Sequence, residues 1–134
     1  MKTIPAVRKY MTTTPRALRP DDTLAHAHAL MKELKIRHLP VCEEERVVGL
    51  LSDGDLFRAE SLHDADPNTL KAKDVMSRTP YIVSPDAPLN EVVQEMASKK
   101  YGSAVVVDNH KVVGVFTATD ALSAFAELLH SRLG

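Results

Sequence analysis

The sequence predicts an α+β fold made of two copies of a β-α-β-β-α unit. Three observations predict it. The chain aligns with itself without a gap at an offset of 65 residues. Strand-like and helix-like apolar patterns follow one another in the same order in both copies. The composition, 44% hydrophobic and 26% charged over 134 residues, is that of a globular protein. Under the offset, Met11 falls on Met76, Thr14-Pro15 on Thr79-Pro80, Pro20-Asp21 on Pro85-Asp86, Leu24 on Leu89 and Met31 on Met96. Val47-Val48-Gly49 falls on Val112-Val113-Gly114, and Asp55 on Asp120. Residues 7–56 and 72–121 share 13 identities in 50 positions, where chance gives roughly three. Two copies of this length indicate a duplicated small domain and not a solenoid.

The elements are clearest in the second copy. Tyr81-Ile82-Val83, between two prolines, is a brief or edge strand. Ser84 to Pro88 is turn chemistry. Leu89, Val92, Val93 and Met96 then recur at helical spacing, and Lys99-Lys100 suits a helix C-terminus. Ala104 to Val107 is a continuous apolar run typical of a buried strand. Asp108 to Lys111 is a hairpin turn, Val112 to Thr117 the next strand, and Ala118 to His130 a helix with Leu122, Phe125, Leu128 and Leu129 along one face. The first copy reads alike: strand Arg16–Leu18, helix Leu24–Leu34, strand Leu39–Cys42 weakened by Pro40, turn Glu43–Arg46, strand Val47–Ser52 and helix Asp53–Glu60. A short helical turn precedes each copy, at Val7–Met11 and Lys73–Met76. The expected organisation is therefore a first unit over 1–60, a polar linker over 61–71 and a second unit over 72–134. Each half is poor in large apolar residues, so the two are expected to bury surface against each other.

Composition also excludes functions. Seventeen basic and eighteen acidic residues give a charge of −1, against a general nucleic-acid binder. Cys42 is the only cysteine, which removes disulfide frameworks and cysteine-based zinc sites. His26 and His28 lie two apart on a helix and cannot chelate together; His63 and His130 are expected to be exposed, and no metal site is expected. No apolar run reaches membrane-spanning length, and the charged start lacks the apolar stretch of a secretory signal, so a cytoplasmic location is the expectation. No nucleophile elbow, Walker loop or dinucleotide fingerprint is present, so no catalytic residue is assigned.

Chemistry concentrates at the two strand ends, Gly49-Leu50-Leu51-Ser52-Asp53-Gly54-Asp55 and Gly114-Val115-Phe116-Thr117-Ala118-Thr119-Asp120. Each places a hydroxyl residue three positions before an Asp. That spacing is first a helix cap. It also puts a carboxylate, a two-oxygen acceptor suited to the vicinal hydroxyls of a ribose, beside the free N–H groups of a helix start.

With these residues the sequence resembles a tandem pair of cystathionine-β-synthase (CBS) domains, a Bateman module. The resemblance rests on Asp74-Val75-Met76-Ser77-Arg78-Thr79-Pro80, the looser Lys9 to Pro15, Ile36-Arg37-His38-Leu39-Pro40-Val41, and the two Gly-apolar-apolar-Ser/Thr-x-x-Asp endings. It implies two units packed with pseudo-twofold symmetry, adenosyl ligands (AMP, ADP, ATP or S-adenosylmethionine) between them, a homodimer, and regulation of an unknown partner protein in place of catalysis. Asp120 and Asp55 would then be ribose carboxylates assisted by Thr117 and Ser52. The segments after Thr79 and Thr14 would offer backbone to adenine through Ile82 and Ala17, with Val83 and Val105 enclosing the base. Arg37 and His38 match positions where the family places basic residues, and their counterparts Gly102 and Ser103 make the two clefts unequal. The favoured site joins Thr117 and Asp120 to Arg37 or His38. At the second, on Thr14, Ala17, Ser52 and Asp55, the extra acid Asp53 opposes a polyphosphate unless Arg16 compensates. The competing reading is a ligand-free dimerisation module.

Overall fold

The computed structural model describes residues 3–14, 16–62 and 64–133; Pro15 and His63, both used above, lie outside them. The elements run 3₁₀ helix Val7–Lys9, β1 Thr12–Thr13, α1 Leu24–Leu34, β2 His38–Glu43, β3 Arg46–Ser52, α2 Asp53–Glu60, α3 Ala72–Val75, β4 Ile82–Val83, α4 Leu89–Lys99, β5 Ser103–Asp108, β6 Lys111–Thr117 and α5 Ala118–Leu133. Both copies thus follow the expected order. Their matching shows in the α1 and α4 ends, where Lys35 and Lys100, 65 residues apart, both adopt left-handed backbone (φ 57° and 61°).

Two compact units form, and they cut the chain differently from the repeat. One holds residues 16–80 with 110–112; the other holds 1–15, 81–109 and 113–134. Each unit therefore takes an edge from beyond its own repeat.

In the unit that contains most of the second copy, four strands lie in the order β1-β6-β5-β4. β1 pairs antiparallel with β6, Thr12 opposite Val115, and β4 runs parallel to β5, Ile82 opposite Val105. Phe116 is fully buried, in a core with Val7, Val92, Ala104 and Val106. The unit around the first copy has the same order with shorter edges. β2 and β3 form an antiparallel hairpin. Leu50 of β3 makes a single antiparallel bridge to Ser77, and Val41 of β2 a single parallel bridge to Leu18. Leu18, Leu24, Leu39, Leu51 and Leu56 are its buried core.

One expectation changes here, and one face of α5 lies outside the core. Arg16–Leu18 is not a strand: one rung forms, the Leu18 N–H donating to Pro40 O and the Cys42 N–H to Leu18 O, both at 2.8 Å. The chain then turns at once through Arg19–Asp22 into α1, the Arg19 N–H capped by Asp22 at 2.7 Å. Nor does the apolar stripe of α5 pack inward. Ala121 and Ala124 face the core, while Leu122 and Phe125 remain 68% and 58% exposed. Small residues occupy the inward side of α5, and its longer side chains stay outside.

Gly114 explains how β1 is accommodated. A Cβ there would stand 2.7 Å from Thr12 O and 2.9 Å from the Met11 sulfur. At Gly49, in the other unit, a Cβ would meet Ser77 O at 2.8 Å, and the Met76 sulfur crowds the same space. The repeated glycine and the repeated methionine are thus one packing solution used twice. Gly114→Ala forces main chain to move, and is expected to cost about 1–3 kcal/mol of unfolding free energy in urea titrations; an unchanged midpoint would refute the close approach.

Candidate functional site

Strand β6 ends at Thr117 and α5 begins at Ala118 with no intervening loop. The Ala118 N–H, first of α5, donates to Gly102 O at 3.0 Å, and the amides after it need further partners. The Thr117 N–H donates to Asp120 Oδ2 at 2.9 Å, and the Asp120 N–H donates to Thr117 Oγ1 at 3.2 Å. This reciprocal pair is the capping box that the spacing predicts. β3 and α2 join in the same way: the Ser52 N–H donates to Asp55 Oδ2 at 2.9 Å and the Asp55 N–H to Ser52 Oγ at 3.1 Å.

Beyond the caps the two carboxylates have different company. The Thr12 hydroxyl of β1 lies 3.1 and 3.2 Å from the two oxygens of Asp120, a contact missed by reading the repeats separately. The signal was present, because Thr12 and its counterpart Ser77 both carry a hydroxyl after Met. Asp55 instead receives the Arg58 guanidinium at 2.5 Å. Both carboxylates stand in partly buried hydrogen bonds and keep free acceptor positions, since a carboxylate has about four.

The other predicted residues distribute as follows. In the unit with Asp120, Ile82 is 47% exposed and lies opposite Val105 across the β4–β5 pair, next to half-buried Val83. Val105 is fully buried, on a strand flanked on both sides. Thr14 belongs to this unit, is buried, and donates its backbone N–H to Val113 O at 3.2 Å. In the unit with Asp55 lie exposed Arg16 and Thr79, half-buried Ala17, and Arg37 and His38. His38 is the register partner of Ser52. The Arg37 carbonyl accepts the Asp53 N–H at 2.9 Å, and its guanidinium lies 3.8 Å from the Asp53 carboxylate. Asp53, expected to oppose a phosphate, thus has Arg37 as its countercharge.

No group of three or more metal-ligating side chains assembles among the described residues, and none of their helices is long and apolar enough to cross a membrane. Burial pushes the Cys42 thiol above its ordinary range, which keeps it protonated at neutral pH. One further concavity belongs to the unit with Asp120. It is an apolar groove of about 1070 Å³ lined by Ile4, Leu89, Val93, Tyr101, Phe125 and Leu128 among others.

In both copies the last strand runs straight into a hydroxyl–carboxylate-capped helix, which defines a duplicated module with one architecture used twice. The CBS-domain family model matches residues 7–62 and 72–127, and the chain belongs to that family. Hypoxic response protein 1 of Mycobacterium tuberculosis (strain ATCC 25618 / H37Rv) is 30% identical over 100 residues, covering 74% of this chain and 70% of that protein. The CBS domain pair of MJ0100, solved with 5'-methylthioadenosine and S-adenosyl-L-methionine, superposes with TM-score 0.82 at 23% identity, covering 93% of this chain and 98% of that one. CBSX2 in complex with AMP superposes with TM-score 0.76 at 23% identity, over 91% and 97% of the two chains.

Thr12→Val removes the hydroxyl donated to Asp120 while keeping the shape of the side chain. We expect a loss of about 0.5–1.5 kcal/mol in unfolding free energy, and no loss with Thr12→Ser; equal losses for both would trace the effect to packing.

Proposed function

We propose that this chain is a cytoplasmic regulatory sensor that binds an adenosyl compound, AMP, ADP, ATP or S-adenosylmethionine, and has no catalytic role. The observation that carries the reading is the Asp120 carboxylate. It is fixed at a helix start by the Thr117 N–H and the Thr12 hydroxyl and still has lone pairs for two ribose hydroxyls. The similarity to pairs solved with methylthioadenosine, S-adenosylmethionine and AMP supports an adenosyl ligand. Exposed Ile82 on edge strand β4 and half-buried Val83 suit adenine recognition by a backbone edge. Arg37 and His38 are the basic residues proposed for phosphate, and Ser52 and Asp55 the core of a second, weaker position. A ligand shifts such a sensor only by its differential affinity for two arrangements, and the regulated protein is a separate partner.

A melting series with each compound tests this. The bound compound at 100 times its Kd should add about 2.7 kcal/mol of stability, and Asp120→Ala should weaken it by about 2–4 kcal/mol. A flat series would favour a ligand-free dimerisation module. Binding lost in Asp55→Ala but kept in Asp120→Ala would move the site.

We propose further that the chain works as a homodimer. Leu122, Phe125, Leu128 and Leu129 leave one helix carrying four exposed large apolar side chains beside the groove, more than a monomer surface ordinarily shows in one place. Phe125→Glu is expected to halve the mass measured by light scattering; an unaltered mass would exclude this face as the interface.

A further inference from the structure

The two capped carboxylates come from one duplicated motif, yet among the described residues Asp55 takes the Arg58 guanidinium and Asp120 the Thr12 hydroxyl. Arg58 sits one turn into α2 and its Nη2 donates to Asp55 Oδ1, while Asp55 Oδ2 takes the Ser52 N–H. The guanidinium lies across the first turn of the helix: a Cβ on Gly54 would stand 3.4 Å from Arg58 Nη1. At the matching places of α5 the sequence has Ser123 for Arg58 and Thr119 for Gly54. There Asp120 is met by the neutral Thr12 hydroxyl.

We infer that Arg58 is an internal competitor for the Asp55 carboxylate and is the residue that makes the two nucleoside positions unequal; this rests on the proposed role of both carboxylates in holding ribose. Asp55 Oδ2 already takes the Ser52 N–H, so a ribose hydroxyl that approaches Oδ1 shares that oxygen with Arg58. The guanidinium is a charged donor with fork geometry, a stronger partner for a carboxylate than a neutral hydroxyl. Arg58 is 71% exposed in its side chain, so it can be displaced, and solvent and salt limit its hold to a few-fold in affinity. Asp120 is met by the neutral Thr12 hydroxyl and the Thr117 N–H, weaker rivals for a ribose than a guanidinium. The chain therefore fills the Asp120 position first and the Asp55 position only at higher ligand concentration, as a two-threshold response.

Adenosine, which has no phosphate to attract Arg58, is the discriminating probe. Titrate it by calorimetry into the wild-type protein, Asp120→Asn, and Asp120→Asn/Arg58→Ser, the last copying the second repeat. Arg58→Ser should strengthen the remaining site two- to five-fold at 50 mM salt. The gain should shrink at 500 mM salt, where the ion pair is already screened. Arg58→Lys should fall between the two. Unchanged or weaker adenosine binding in the double variant overturns the inference. So does a larger loss of AMP than of adenosine affinity, which would make Arg58 a phosphate ligand. If the wild-type protein binds none of adenosine, AMP or S-adenosylmethionine, the reading of both carboxylates falls, and this competitor with it. If the wild type binds and only the Arg58 substitution is silent, the competitor alone falls.

Discussion

A helix that starts directly from a strand has no loop in which to satisfy its first amides. Here both junctions solve this with a Ser or Thr at the end of the strand and an Asp one turn on, each donating its backbone N–H to the other's side chain. That constraint fixes much else. It orients the last helix of each copy against its sheet, and it holds a carboxylate in one place with one oxygen committed and acceptor capacity to spare. The atoms that cap the helix are thus the same ones proposed to bind ligand. A substitution at Asp120 bears on both roles, so ligand titrations on such variants need a parallel measure of folding.

The second shared constraint is a glycine in the middle of each last strand. Without a side chain at Gly114 the segment at Met11–Thr12 comes within pairing distance of β6, and without one at Gly49 the segment at Met76–Ser77 reaches β3. This is why the compact units do not coincide with the repeats. Each sheet borrows its outer edge from the stretch that precedes the opposite copy in sequence. The same closeness brings the Thr12 hydroxyl to Asp120, so a residue outside the second copy becomes part of its carboxylate environment.

Duplication supplied two similar positions, and a handful of charges separates them. Around the start of α2 stand Asp53, Asp55, Arg37 and Arg58, joined in two ion pairs. Around the start of α5 the corresponding places are Ala118, Asp120, Gly102 and Ser123. One position is internally compensated, and the other holds a carboxylate met by the Thr12 hydroxyl and the Thr117 N–H. Exposed pairs of this kind are individually weak, so their effect is on relative occupancy and salt sensitivity more than on fold.

By itself the sequence determined the duplication, the order of the elements, the two helix caps and the family. Each depends on contacts within three or four residues or on a spacing visible in one dimension: helices Leu24–Leu34 and Asp53–Glu60 come out with the bounds the pattern predicts. It pointed to Asp55 and Asp120 because a hydroxyl and a carboxylate three residues apart have one geometry at a helix start. Tertiary structure alone decided which partners those carboxylates acquire. Thr12 approaches Asp120 from 108 residues away in the chain, and Arg58 takes Asp55 by a choice among rotamers that spacing leaves open. It also decided that Val105 is sealed, that Arg16–Leu18 makes one rung in place of a strand, and that the apolar stripe of α5 stays outside. Periodicity says which residues share a face. Which face turns inward is decided by what packs there, here Ala121 and Ala124, and that is settled only when the chain is folded.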